Sequence, residues 1–327
     1  KSESFEITGI SIGAAKLVNT RKGYPGVAPQ YTLTYKGTKM VSGVDYTITA
    51  SNIDKCGIKK AKIVVTGKGI FRGTKTMYAN IYPKKVGAFG VGSRTTSSFK
   101  MKWKSQSAYN VSGYKVYTCD KDGNNKRLYD ITDTNTVSVT GRTAGEYMYF
   151  VVRAYKSSGN SIIYGEFSNV FLTCTKPAKV RLNNVCKTVD KTKLKLNWQK
   201  EACTGYVIQY STDKTFKTGV KTITILGSSK TSRTISIPKN KKVYYARVRA
   251  YRRFNNGKTT VYGAWSSKLS TSYSKLYATY TTNYVNNPNR TTNLKLASEA
   301  INGTIVYPGE TFSFNETVGR RTAQKGY

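Results

Sequence analysis

Hydrophobic and polar residues alternate along almost the whole chain before residue 280, in short runs of Val, Ile, Thr and Tyr separated by Gly, Asn, Asp and Ser. The alternation is clearest in "YTLTYKGTKMVSGVDYTITA", "SFKMKWKS" and "KLKLNW". In the second of these, Met101 and Trp103 share one face and lysines occupy the other. A period of two is typical of half-buried strands, so the pattern predicts an all-β fold. We interpret the lysines as a solvated sheet face rather than a dedicated binding patch.

Residues 86–176 and 177–272 repeat one another. "FKMKWKS", "SGYKVY" and "VVRAYKSSGNSIIYGEFSNV" of the first copy match "LKLNWQK", "TGYVIQY" and "RVRAYRRFNNGKTTVYGAWSSK" of the second. The offset is about 95 residues, the length of one seven-stranded β-sandwich. Pro83 and Pro177 mark predicted linkers before the copies. The sequence therefore predicts tandem β-sandwich modules, with domains at residues 1–83, 86–176, 177–272 and 276–327.

Both copies resemble the fibronectin type III modules of Gram-positive surface proteins. Each has a tryptophan on its second predicted strand, Trp103 or Trp198, and a Gly-Tyr pair opening the third, with Tyr114 or Tyr206. "RAY" on the sixth strand and "YG" before the last strand complete the match, which covers both copies from end to end. The resemblance implies that these four aromatic residues are structural core anchors between two sheets, with no catalytic role.

The same resemblance assigns a corner tyrosine to the second copy, at Tyr244. Met148 stands at the aligned position of the first copy, which therefore lacks a hydroxyl for that bond. Ala154 and Ala250 are expected to be the small inward positions that face the tryptophans.

Residues 1–83 form a different predicted β unit. "YKGTKMVSGVDYT" and "GIKKAKIVVTGKGIFRGT" resemble the two hairpins of a bacterial immunoglobulin-like (Ig-like) repeat found in Clostridia-type surface proteins. We expect Gly57, Gly67, Gly69 and Gly73 to supply the positive-φ residues that tight hairpins need. The "GKG" triplet is not interpreted as a phosphate-binding loop, because no helix pattern follows it and no GK[ST] is present.

The amino-acid composition gives the chain a large positive net charge. The chain of 327 residues has 54 Lys and Arg against 16 Asp and Glu, a formal net charge of +38. Such a chain adheres to polyanions, and nucleic acid, anionic lipid and the teichoic acids of a bacterial wall all satisfy the charge. Because the lysines are spread through all modules rather than focused in one groove, we expect no specific nucleic-acid partner.

Histidine is absent and the five cysteines lack metal-ligand spacing. Without histidine the chain offers no Ser-His or Cys-His dyad and no imidazole zinc ligand. We therefore expect no metal, no cofactor and no catalytic residue in this chain. The cysteines are interpreted as isolated core or loop residues, of which one or two pairs could form disulfides, at positions Cys56, Cys119, Cys174, Cys186 and Cys203.

The pattern changes after Ser274. Apolar residues recur at helical spacing from Leu294 to Ile301, with an N-cap at Thr292 or Asn293 and a stop at Asn302-Gly303, which predicts a short amphipathic helix. Strands are predicted at residues 304–306 and 312–314, joined by a Pro-Gly turn.

This last segment resembles the beginning of a VanW domain, through the pattern "NR..N..LA....NG....PGE.FSFNE..G.RT...GY". The matching residues are Asn289, Arg290, Asn293, Leu296, Ala297, Asn302, Gly303, Pro308, Gly309, Glu310, Phe312, Ser313, Asn315, Glu316, Gly319, Arg321, Thr322, Gly326 and Tyr327. The resemblance implies a partial α+β segment and, for a complete domain, L,D-transpeptidation of peptidoglycan by a cysteine nucleophile. The chain has no cysteine after Cys203. Glu310 and Glu316 invite interpretation as a carboxylate pair, but we favour turn residues.

The chain begins without methionine and has no apolar run long enough to span a membrane. We therefore expect a piece of a longer, exported protein whose signal peptide lies outside this sequence. The leading hypothesis is a Gram-positive wall protein that holds a VanW enzyme against its partners, peptidoglycan and anionic wall polymers. A non-catalytic surface adhesin and a non-specific polyanion binder are the alternatives, and the sequence does not indicate an oligomeric state.

Overall fold

The computed structural model describes residues 9–187, 191–240 and 242–271, together with the backbone of short strands between residues 279 and 316. The chain divides into two units, residues 1–142 with 147–173 and residues 143–146 with 174–327. Both units are built of β-sheets, which confirms the predicted all-β class.

The N-terminal part of the first unit alternates strictly in its central strand, where Ala61, Ile63 and Val65 are fully buried. The described elements are β1 (Ile10–Ser11), a 3-10 helix (Ile12–Ala14), β2 (Lys16–Arg21), β3 (Gln30–Tyr35), β4 (Thr38–Lys39), β5 (Tyr46–Ser51), β6 (Gly57–Gly67), β7 (Phe71–Arg72) and β8 (Thr74–Ile81). They form the sheets β2-β3-β4 and β5-β6-β8, and β1 pairs with β7 in parallel.

The four glycines predicted to have positive φ in the second hairpin do not all have it. Gly69 and Gly73 have φ of 60° and 80°, as predicted. Gly57 and Gly67 are not among the positive-φ residues, so that prediction is wrong for them. A Cβ on Gly67 would lie 2.8 Å from the backbone carbon of Phe71, so close approach of two backbones excludes a side chain there.

The first repeat completes the first unit with two sheets. Its elements are β9 (Gly90–Gly92), β10 (Phe99–Lys102), a 3-10 helix (Ser107–Tyr109), β11 (Gly113–Cys119), β12 (Arg127–Thr132), β13 (Thr136–Val139), β14 (Tyr147–Ser158), β15 (Ser161–Tyr164) and β16 (Phe171–Cys174). The sheet orders are β13-β10-β9 and β12-β11-β14-β15, with β16 also paired to β14. Phe99, Met101, Trp103, Phe150 and Val152 lie in the core between them.

The second repeat, in the second unit, has the same arrangement. Its strands are β17 (Leu182–Lys187), β18 (Lys193–Trp198), β19 (Gly205–Ser211), β20 (Lys221–Leu226), β21 (Ser232–Ser236), β22 (Tyr245–Phe254), β23 (Thr259–Tyr262) and β24 (Leu269–Ser270). The sheet orders are β17-β18-β21 and β20-β19-β22-β23, with β24 also paired to β22. Two repeats of one sequence pattern thus give two sandwiches of one topology.

The segment after residue 278 contributes the strands β25 (Thr279–Tyr280), β26 (Arg290–Lys295), β27 (Ala300–Ile301), β28 (Thr304–Ile305) and β29 (Thr311–Glu316). β28 and β29 confirm the two predicted strands. The predicted helix is wrong where the structure describes it, because β26 occupies its first part and β27 its end. β26 contains the β-branched Thr291 and Thr292 and is paired along its whole length with β29, and such a ladder outweighs a short helical pattern.

Candidate functional site

Two antiparallel strands bring parts of the VanW-like motif together. In the β26–β29 ladder, Arg290 is opposite Glu316 and Asn293 is opposite Ser313. The motif residues Phe312 and Asn315 lie on the same strand as Glu316. Motif residues that are twenty or more positions apart in sequence are therefore opposite each other in one sheet.

The other motif residues are not placed by the structure. Those outside the described residues are Asn289, Leu296, Ala297, Asn302, Gly303, Pro308, Gly309, Glu310, Gly319, Arg321, Thr322, Gly326 and Tyr327. The alternative of a carboxylate pair falls among them, because Glu310 is one of its two members, and it stays a prediction.

The predicted core residues of the two repeats are placed alike. Trp103 and Trp198 are each 2% exposed, and each packs edge-on against a tyrosine, with ring centroids 5.3 Å apart for Tyr114 and 5.4 Å for Tyr206. Tyr244 is also buried, and its hydroxyl accepts a hydrogen bond from Asn240 Nδ2 at 3.2 Å. These residues hold the sandwiches together.

The first repeat carries a stack of cationic and aromatic side chains on the outer face of its larger sheet. The Arg153 guanidinium lies 4.0 Å from the ring centroid of Tyr164 and 4.6 Å from that of Phe167. Its Nη2 donates to the Tyr117 hydroxyl at 3.1 Å. Lys115 Nζ donates to the Tyr164 hydroxyl at 3.0 Å, and this bond raises the pKa of the lysine.

The second repeat extends the same device into a longer stack. Arg249 lies between Tyr262 and Trp265, at 3.9 Å and 4.3 Å from the two ring centroids. Arg247 lies 4.5 Å from the ring centroid of Trp265 and 4.4 Å from that of Phe216. Burial lowers the pKa of both arginines. This arrangement was not predicted from the sequence, although arginines alternating with core residues in "RVRAY", followed by "YGAW", are its signal.

Burial raises the pKa of three of the five cysteine thiols. Cys56 is buried, and burial raises its pKa to about 11. Burial also raises the pKa of Cys119 and Cys203. Since the thiolate is the nucleophile, the raised pKa makes these three thiols weak nucleophiles at neutral pH.

Basic residues line the exposed side of both smaller sheets. Lys100 and Lys102 alternate with buried residues on β10, and Lys193 does so on β18. The ion pair Lys121–Asp122, at 4.0 Å, is highly exposed and offsets little of this charge. Among the described residues no group of His, Cys, Asp and Glu could hold a metal ion, and no helix is long and apolar enough to cross a membrane.

Comparison with known proteins identifies the C-terminal segment. Residues 289–327 match the family described as "VanW like protein". A stretch of 59 residues is 44% identical to "Uncharacterized protein YoaR" of Bacillus subtilis (strain 168), covering 18% of this chain and 19% of YoaR. The chain is thus a multidomain β protein with a VanW-like segment.

Solved structures similar to the chain contain fibronectin type III domains. The FN1–FN3 domains of chicken CNTN1 match 79% of this chain and 96% of their own, with 12% identity and a TM-score of 0.32. A two-domain fibronectin type III segment of chicken tenascin matches 57% of this chain and 96% of its own, with 14% identity and a TM-score of 0.31.

Proposed function

We propose that this chain is part of an exported Gram-positive cell-wall protein in which basic β-sandwich modules position a VanW domain on peptidoglycan. The observation that carries the proposal is the VanW-like match at residues 289–327, attached to repeats rich in lysine. The module boundaries follow the sequence analysis, with an Ig-like repeat of the Clostridia type at residues 1–83, fibronectin type III-like modules at 86–176 and 177–272, and the VanW segment from 276.

Electrostatic attraction supports the retention step. A net charge of +38 attracts any polymer of phosphate groups, and the attraction acts over a Debye length of about 10 Å at 0.1 M salt. The lysines on the outer faces of the smaller sheets are exposed and available for such contacts. Retention of this kind is strong at low salt and is lost as salt rises.

The chemistry is assigned to a complete VanW domain. A cysteine thiolate of that domain would attack an amide carbonyl of one stem peptide, forming a thioester and releasing an amine that takes up a proton. The amine of a neighbouring stem would then attack the thioester, forming the cross-link and restoring the thiol. Backbone donors around the carbonyl oxygen would stabilise the oxyanion in both steps.

The test uses a protein that carries a complete VanW domain on these modules. It is incubated with tetrapeptide muropeptides, and cross-linked dimers are sought by mass spectrometry, with each cysteine of the VanW domain changed to alanine in turn. We expect dimers that disappear with one cysteine variant. No dimers from a folded protein would contradict the enzymatic part of the proposal.

A second candidate is a non-catalytic protein that adheres to the wall. It is favoured by the exposed lysines on the smaller sheets, which are enough for retention on anionic polymers without any chemistry. Salt-sensitive retention on purified walls, without cross-linking activity, would select this candidate.

A further inference from the structure

A cleft of about 410 Å³ opens at one end of the second repeat. It lies where β19 ends at Ser211, β20 begins at Lys221 and the chain enters β22 through Lys242 and Tyr244. Three chain segments therefore meet around it. Its lining contains polar side chains from each.

The charge around the cleft is positive. Lys221 and Lys242 line it, and its described lining includes no acidic residue. Lys187 adds a third cation, because its Nζ donates to the carbonyl oxygens of Asn240 at 3.0 Å and Lys242 at 2.6 Å. Burial, followed by the charge of Lys191, lowers the pKa of Lys187, as expected where cations are crowded.

Among the described residues, the acid nearest in sequence, Asp213, forms no ion pair with these cations. Asp213 accepts hydrogen bonds from the backbone nitrogens of Thr215 at 2.7 Å, Lys217 at 2.8 Å and Thr218 at 2.9 Å. Both of its carboxylate oxygens are therefore directed into its own loop. Hydrogen bonds from the Thr215 side chain and from these backbone nitrogens lower the pKa of Asp213, so it stays charged, and the three lysines around the cleft outnumber it.

Hydrogen-bond donors complete the cleft. The hydroxyls of Tyr210 and Tyr244 belong to lining residues whose rings are packed 6.5 Å apart. Tyr244 already accepts from Asn240 Nδ2, so its own proton is available to an acceptor in the cleft. Lysines bind phosphate as point charges, and Lys221 and Lys242 are the cations of the described lining.

The first repeat provides an internal comparison. Thr118 pairs with Arg127 there, as Tyr210 pairs with Lys221 in the second repeat. Met148 aligns with Tyr244. The first repeat thus keeps a cation at this end of its sandwich but has a methionine and a threonine in place of the two tyrosines.

We propose that the cleft formed by Lys221, Lys242, Tyr210 and Tyr244 binds a phosphate group of a phosphodiester polymer. This inference rests on the proposed retention on anionic wall polymers and deepens it. The second repeat recognises phosphate at a defined site, while the remaining lysines hold the polymer without selectivity.

The test measures binding of a poly(glycerol phosphate) oligomer to the full 327-residue chain by calorimetry. The cleft variant is Lys221→Gln with Lys242→Gln. Its control, Arg127→Gln with Lys230→Gln, removes the same charge at the equivalent strand of the first repeat and at an exposed turn at the far end of β20. We expect the cleft variant to weaken binding about tenfold more than the control, the loss that follows from removing charge-assisted hydrogen bonds.

Tyr244→Phe is the second variant, since it keeps the ring and removes only the hydroxyl. It should also weaken binding of the oligomer, by a smaller factor. Equal losses in the cleft variant and its control, with no effect of Tyr244→Phe, would overturn the cleft assignment. A poly-glutamate of equal charge tests the ligand class, because a cleft-specific loss of the same size with that polymer would contradict selectivity for phosphate.

Purified walls separate this inference from the proposed function. If the unaltered chain binds walls but the oligomer does not distinguish cleft from control, the cleft is excluded and retention stands. If the chain fails to bind walls but shows the cleft-specific loss with the oligomer, retention is excluded and the phosphate site stands.

Discussion

Tyr206 is fully buried, and its hydroxyl joins two loops of the second repeat. It accepts a hydrogen bond from the backbone nitrogen of Glu201 at 3.0 Å and donates one to the carbonyl oxygen of Ser228 at 2.9 Å. Burial raises the pKa of this phenol from 10.0 to about 12. The folded protein therefore holds Tyr206 neutral at a pH where the unfolded chain would ionise it.

We expect Tyr206→Phe to lower the free energy of unfolding by about 1–3 kcal/mol at pH 8, because it leaves buried backbone groups without a partner. Above pH 10 the unfolded chain binds fewer protons at Tyr206 than the folded protein, so this residue's contribution falls as pH rises towards 12. Urea unfolding at pH 8 and pH 11 tests both points. The variant should lose less stability between the two pH values than the unaltered protein.

Tyr78→Phe is the control, since Tyr78 is 57% exposed. It should match the unaltered protein at pH 8. An identical loss of stability with pH in Tyr206→Phe and the unaltered protein would contradict the role of buried phenol.

At the scale of elements, each repeat depends on a glycine just after a strand. Gly165 follows β15, and a Cβ there would lie 2.8 Å from the carbonyl oxygen of Pro83. Gly263 follows β23 in the second repeat, and its Cβ would lie 2.8 Å from the carbonyl oxygen of Pro177. The chain segment before each repeat is thus packed against the end of that repeat's own sheet.

Gly165→Ala should destabilise the first unit by about 1–3 kcal/mol, because the backbone of the preceding segment must move. Gly87→Ala is the matched control, as no atom lies within 4 Å of its added Cβ. Thermal unfolding of both variants tests the prediction. A normal melting temperature for Gly165→Ala would show that the Pro83 segment moves without cost.

The cation–aromatic stack of the second repeat is also an element-scale device, because it links β22 to β23 and to the loop that carries Phe216. Trp265→Leu removes the ring between Arg247 and Arg249, and we expect a loss of about 2 kcal/mol in the free energy of unfolding. Leu226→Ala, which truncates a side chain that is 72% exposed, should change little. Equal unfolding midpoints for the two variants would exclude a stabilising role of the stack.

At the scale of the whole molecule, the absence of histidine makes the net charge nearly independent of pH around neutrality. No side chain type with an ordinary pKa between 5 and 8 is present, so the net charge stays close to +38 across that range. We therefore expect retention on purified walls to be nearly constant from pH 5 to pH 8 at fixed salt, as far as the wall's own charge is constant. Raising NaCl from 0.1 M to 1 M, which shortens the Debye length to about 3 Å, should release the chain.

Pelleting assays on walls with and without teichoic acid provide the measurement. Loss of retention on walls without teichoic acid would place the partner among the anionic polymers. Retention that is unaffected by 1 M NaCl would contradict the electrostatic mechanism.

The sequence by itself determined the all-β class, the two related sandwiches and the VanW-like segment. Alternation places successive side chains on opposite faces of a strand, and this local rule holds wherever Met101, Trp103, Leu194 or Trp198 occurs. Repetition of the pattern then predicts repetition of the fold. These features could be predicted from the sequence because they depend on short stretches of chain.

Tertiary structure decided what depends on residues distant in sequence. Leu294 and Lys295 belong to a strand because β29 offers β26 a partner along its whole length, although the pattern from Leu294 to Ile301 predicts a helix. Gly67 must be glycine because a neighbouring backbone occupies the space, rather than because of its φ. The cleft likewise needs Lys221 and Lys242, which belong to two separate chain segments, to lie near Tyr210. Their spacing in the sequence does not predict this. Pairing energy, excluded volume and converging charge arise between segments, which is why only the folded chain shows them.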